Sequence, residues 1–146
     1  MNDNTPEVSS DAAFSAAENQ TAIGTVTATD ADGDLNDLSF SVSGTTLVIN
    51  SATGVLTFAA APDFETTTSV TATITVSDGT NSSTQNITVT ITDVDDTAPV
   101  ITVTGDNPAT VELGATYTDA GATATDSDDA NPTVTSSGTV DADTLG

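Results

Sequence analysis

The sequence predicts an all-β protein, a sandwich of seven strands followed by a second and incomplete sandwich, on three observations. Thr, the commonest residue, alternates with Val, Ile, Ala and Leu, so apolar side chains recur with the period of 2 that belongs to a strand with one buried face. The alternating runs are short. Gly, Asp, Asn, Ser and Pro separate them, which is turn chemistry.

The strands follow in order. The first falls around Ala13 and Phe14, and the next are 23–29 (IGTVTAT), 38–43 (LSFSVS), 46–50 (TLVIN), 54–59 (GVLTFA), 69–77 (SVTATITVS) and 86–94 (NITVTITDV). Turns are supplied by ADGD at 31–34, SGTT at 43–46, SATG at 51–54 and SDGTNSS at 77–83. Outward Thr favours the extended backbone without adding much apolar surface. Past Thr97, Ala98 and Pro99 a second series begins, with strands expected at 100–105, 109–114, 116–126 and 132–140. That is half a sandwich, with open edges, so residues 98–146 are expected to be part of a longer polypeptide or to be completed by a strand from another chain.

Composition narrows the function. The chain has 146 residues, 22 of them Asp or Glu, no Lys, Arg, His or Cys, and a formal net charge of -22. Without those residues it lacks the usual near-neutral general base, a thiol nucleophile, a Schiff-base amine and any side-chain cation for phosphate, so it is expected not to be an enzyme. Phosphate backbones and anionic membrane surfaces repel such a polyanion, which argues against nucleic acid and membrane partners. A hydrophobic content of 36% with only 3% aromatic residues supports cores, but thin ones. No apolar run reaches the length of a spanning helix, and the segment after Met1 has neither the basic nor the apolar part of a secretory leader. Trypsin-like proteases find no cleavage site.

The acidic residues gather at strand ends: Asp3; Glu18; Asp30, Asp32, Asp34 and Asp37; Asp63 and Glu65; Asp78; Asp93, Asp95 and Asp96. Two carboxylates ~4 Å apart at an effective dielectric of ~20 repel by about 4 kcal/mol, a cost that a bound cation removes. With no imidazole or thiolate, zinc and copper fit poorly, and many loop carboxylates suit the six to eight oxygen ligands of Ca²⁺ better than the strict octahedron of Mg²⁺. DADGDLND at 30–37 is not an EF-hand loop, because Gly33 falls at position 4, Ser41 stands at position 12, and strands flank the segment. The pair Asp63 and Glu65 lacks the aromatic cleft a glycosidase needs. Asn81 and Asn86 lie in N-x-S/T sequons, which are common by chance in so Thr-rich a chain.

The ordered motifs NDNTP (2–6), AEN (17–19), TATDADGDLN (27–36), PDFE (62–65), VSDG (76–79) and DVDDTAP (93–99) resemble a cadherin repeat of the bacterial surface-protein kind. The resemblance spans residues 2–97 and implies a seven-stranded Greek-key sandwich, chained end to end with others and binding Ca²⁺ at the linkers. It implies that Glu18, Asp63, Glu65, Asp93 and Asp96 are ligands at the C-terminal end of the repeat. Asp30, Asp32 and Asp78 would serve the opposite end, with Asn2, Asp3 and Asn4 from the preceding linker and the Asn36 carbonyl. Asp95 stands where the family has Asn and keeps an oxygen ligand. Residues 99–126 resemble a bacterial immunoglobulin-like surface domain. Asp3 to Asp30 spans 27 residues and Asp96 to Asp126 spans 30, so Asp126 and Asp128 are expected to offer a similar D-x-D face.

The resemblance implies a calcium-rigidified extracellular stalk of a bacterial adhesin on the cell surface, whose partners are the neighbouring domains of the same chain. Two rivals are a recognition module, pairing with like domains or binding a carbohydrate or host-surface ligand, and a filament subunit completed by strand donation. Tyr117 is the one Tyr and Trp is absent, which disfavours a sugar platform.

Overall fold

The structure, a computed structural model, describes residues 4–31 and 38–138. Asn2, Asp3, Asp32 and Asn36, along with Asp34 and Asp37, lie outside the described residues. Contacts divide the chain into two compact units, Met1–Val94 and Asp95–Gly146. Every element among the described residues is a strand.

In the first unit the strands are β1 (Glu7–Val8), β2 (Ala13–Ala17), β3 (Ala22–Thr25), β4 (Ala28–Thr29), β5 (Ser39–Val42), β6 (Leu47–Ile49), β7 (Val55–Phe58), β8 (Ser69–Ser77) and β9 (Ser82–Thr92). One sheet has the order β2-β9-β8-β5 and the other β3-β7-β6, with β1 and β4 as a separate pair. Strand β2 runs parallel to β9, from Ala13 opposite Thr88 to Ala17 opposite Thr92, while β8 is antiparallel to both β9 and β5.

Alternation decides which residues enter the core. Along β9, Ile87, Val89 and Ile91 are buried and Asn86, Thr88 and Thr90 are exposed. Ile74 and Val76 of β8, Phe40 of β5 and Ala16 of β2 join them from the same sheet, and Leu47, Leu56 and Phe58 come from β6 and β7. Burial of each large aliphatic or Phe side chain contributes roughly 1.5–3 kcal/mol. Gly54 has a φ of +70°, and a Cβ there would collide with the Val26 carbonyl, the chain's point of departure from β3.

The structure corrects the predicted strands in places. The run 23–29 is broken, because the register shifts between Ala22 and Gly24, the Val26 N–H turns to the Gly54 carbonyl, and β4 pairs with β1, which the pattern did not anticipate. Strand β9 begins at Ser82, four residues earlier than expected, because the hydroxyl residues after the turn continue the ladder with β8.

The second unit is sparser. Strands β10 (Val100–Val103) and β11 (Ala122–Thr125) form an antiparallel pair, with Ile101 opposite Ala124 and Val103 opposite Ala122. Ile101 and Val103 remain 62% and 55% exposed, so this apolar face is open. No strand forms at 109–114 or 132–138, residues 139 and 140 lie outside the described residues, and within 116–126 only Ala122–Thr125 is a strand, starting directly after Gly121, whose φ of +78° interrupts the extended run before it.

Candidate metal centres

Carboxylates converge in two groups among the described residues. In the first unit, Glu18, Glu65 and Asp93 each place one oxygen within 4.8 Å of the others. In the second, Asp95, Asp126 and Asp128 do the same. Two oxygens on opposite sides of one Ca²⁺ lie about 4.8 Å apart, given ligand distances near 2.4 Å, so both groups fit that ion. Every donor is a hard oxygen, which again points away from zinc and copper.

Glu18 is the organiser of the first group. It lies just after β2, its side chain is only 2% exposed, and its backbone N–H extends the β2–β9 ladder by donating to the Thr92 carbonyl. The Phe64 N–H donates to Glu18 Oε2 at 2.8 Å and the Val94 N–H donates to Oε1 at 2.8 Å. Phe64 precedes Glu65 and Val94 follows Asp93, so one buried carboxylate fixes the backbone beside both other members. A buried carboxylate is tolerable only with such charge-assisted partners. Asp63 stands outside the group. Its carboxylate accepts the Thr66 N–H at 3.3 Å and its carbonyl accepts the Thr67 N–H at 2.9 Å, which folds the 63–67 turn.

A local turn organises the second group. Asp126 Oδ1 accepts the N–H groups of Asp128 and Asp129, at 2.9 and 3.3 Å. Asp128 Oδ2 accepts those of Thr97 and Asp96, at 3.0 and 3.3 Å. The Thr97 hydroxyl, then Ser127 and the backbone donors, hold the Asp128 carboxyl below its ordinary range against partial dehydration. Asp95 is shifted the opposite way: lost hydration, then the charges of Asp126, Asp128, Asp129 and Asp96, push its carboxyl up. Asp96 contributes its backbone N–H here, and its carboxylate belongs to neither group.

At the other end of the first sandwich, Asn4 and Asp30 line a groove of about 460 Å³ with Thr5, Glu7, Thr29 and Ala31. Asp78, in the β8–β9 turn and 7% exposed, accepts the N–H groups of Thr80 and Asn81 at 2.7 and 2.6 Å. The Asn81 bond is the main reason its carboxyl sits below the usual range, against the effect of burial. The Asn81 side-chain amide in turn donates to the Asn4 carbonyl at 3.0 Å. Asn81 thus ties the N-terminal segment to the Asp78 turn, a role its sequon gave no hint of.

The family model of the cadherin domain matches residues 12–92, more than half of the chain. The chain belongs to the cadherin family. A second family model, the Ig-like domain of bacterial surface proteins, matches residues 101–146. Among solved cadherins, human protocadherin-24 EC1-2 is similar at 27% identity and a TM-score of 0.61, over 72% of this chain and 50% of that one. The protocadherin gammaB7 EC3-6 structure, described as a cis-dimer, matches at 26% identity and a TM-score of 0.61, covering 74% and 29%. The human desmocollin-1 ectodomain matches at 27% identity and a TM-score of 0.60, covering 71% and 23%. The chain therefore spans half or less of these relatives. No curated protein sequence matches it.

Cadherin domains generally bind Ca²⁺, and the acidic groups of this cadherin chain can hold an ion. The two families are adhesive or structural and not enzymatic, and they point to an extracellular or surface location. No helix among the described residues is long and apolar enough to cross a membrane.

Proposed function

We propose that the chain is a calcium-rigidified stalk segment of a bacterial surface adhesin, whose partners are the adjoining domains of the same polypeptide. The observation that carries this reading is the convergence of Glu18, Glu65 and Asp93 at one end of the sandwich, in a chain with no cation to neutralise them. Without metal such carboxylates repel and the end loops loosen; with Ca²⁺ they share one ion and stiffen. The all-oxygen donor set and the family supply the choice of ion. Within this reading Asp30, Asp78 and Asn4 serve an ion at the opposite end, and Asp95, Asp126 and Asp128 hold one in the second unit.

Extracellular calcium modules bind at about 10⁻⁴ to 10⁻³ M, so a site of ~0.1 mM affinity in ~10 mM Ca²⁺ stabilises by roughly 2.7 kcal/mol. A domain of this size answers with a rise of roughly 10–20 °C in unfolding temperature. The test is thermal unfolding at fixed ionic strength with Ca²⁺, equal Mg²⁺, or chelator. A large rise with Ca²⁺ and a small one with Mg²⁺ supports selective sites. Equal responses to the two ions would mean that the carboxylates act as a general anionic surface, and the reading fails.

A further inference from the structure

Glu18 continues the inward alternation of β2 two residues after Ala16, and the chain turns sharply just after it. Ala17 ends β2 in the four-stranded sheet, and by Ala22 the chain is in β3 of the other sheet. Between them Asn19 has a φ of 59°, the sole non-glycine residue in the left-handed region among the described residues. Its N–H donates to the Pro62 carbonyl at 3.0 Å, which docks the corner on the 62–66 loop, and two residues later the Thr21 carbonyl accepts the Phe58 N–H of β7. Asn tolerates this backbone region better than nearly all other side chains, whereas a β-branched residue pays a steep steric cost there. Docked on the corner, the 62–66 loop presents the Phe64 N–H to the buried Glu18 carboxylate, which also accepts the Val94 N–H.

We infer that Asn19 is the positioning residue of this centre: its left-handed backbone docks the corner on the 62–66 loop, which brings Glu65 to Glu18 and Asp93. The inference rests on the calcium reading above. It assigns the positioning to the backbone conformation of Asn19, so Gly, which adopts that conformation, is a milder substitute than Val, which does not.

The test uses the full chain. Asn19→Gly, Asn19→Val, Glu65→Ala, Asp93→Ala and the core variant Ile74→Val are titrated with Ca²⁺ at low temperature, where far-ultraviolet circular dichroism shows each to be folded. The titration is followed at the Phe64 amide resonance, whose N–H is held by Glu18. Expected are at least about tenfold weaker binding for Asn19→Val, a several-fold smaller loss for Asn19→Gly, and an unchanged midpoint for Ile74→Val despite its lower stability. Parent-like binding by Asn19→Val, or equal weakening by Gly and Val, overturns the positioning role. If Glu65→Ala and Asp93→Ala also bind like the parent, the calcium reading itself has failed and the inference falls with it.

Discussion

The two carboxylate groups are equal in size and opposite in construction. Glu18, Glu65 and Asp93 are gathered by a sandwich: a buried carboxylate at a crossover between sheets holds two distant backbone segments by hydrogen bonds. Asp95, Asp126 and Asp128 are gathered mainly by one turn and the segment beside it, with Asp95 exposed, in a unit whose paired strands leave Ile101 and Val103 open. The difference teaches that the same ligands can be prepared in advance or assembled on demand. In the first group two neutral backbone donors offset part of the cost of confining charge. In the second that cost is still visible as the upward shift of Asp95.

The comparison breaks most clearly at Glu18. Glu18→Ala leaves two N–H groups without a charged acceptor, each bond contributing about 1.5–3 kcal/mol, so we expect unfolding of the first unit in chelator to fall by roughly 12–48 °C. Asp95→Ala in the same buffer should not lower the stability of the second unit. Circular dichroism melts of both variants decide the matter, and a fall of less than about 5 °C for Glu18→Ala would show that the corner holds without its carboxylate.

A smaller effect sharpens the other side. Asp95→Asn removes a charge from the crowded group while keeping an oxygen, so the metal-free second unit should be unharmed and its Ca²⁺ midpoint should weaken by about tenfold. Tyr117 lies in the second unit, and with no Trp and no other Tyr in the chain its fluorescence reports on that unit alone. A midpoint unmoved by Asp95→Asn would remove Asp95 from the ligand set.

The smallest effect is in pH. The Asp95 carboxyl is raised above 3.8 by lost hydration first and by its neighbouring carboxylates second, so the cost of its charge is present above its folded value and is relieved as pH falls through it. Asp128 and Asp78 are lowered below 3.8, so their contributions are complete above that value and are lost as pH falls further. In chelator, Tyr117 fluorescence should therefore show the second unit gaining slightly in stability just above pH 3.8 and losing it below. In the first unit, the lowered Asp78 carboxyl should contribute a loss as pH falls below 3.8. A second unit that weakens steadily from neutral pH downward would contradict the crowding of Asp95.

Much of this could be read from the sequence, and the gaps have physical causes. Period-2 alternation located the seven strands of the sandwich, because burial on one face leaves a direct mark on residue type. The acidic motifs singled out Glu18, Glu65 and Asp93, which the fold brings together. Asp63 carries the same letters of the motif but turns its carboxylate to its own loop. The donors that hold Glu18 were invisible, since a backbone N–H has no letter, and so was the conformation of Asn19. In the second unit the alternation at 109–114 and 116–121 promised strands that did not form, because Thr and Val carry β propensity whether or not a partner strand is present.

The parallel pairing of β2 and β9 has a mechanical consequence. Tension applied upstream of β2 and downstream of β9 pulls on opposite ends of their shared ladder, from Ala13 and Thr88 to Ala17 and Thr92. The force runs along the strands and loads every rung at once, in shear, instead of peeling them apart singly. At its downstream end the force enters through Val94, which is pinned to the Glu18 carboxylate. On the downstream side, this bond to the residue that gathers the acidic centre thus lies between the pull and the β2–β9 ladder.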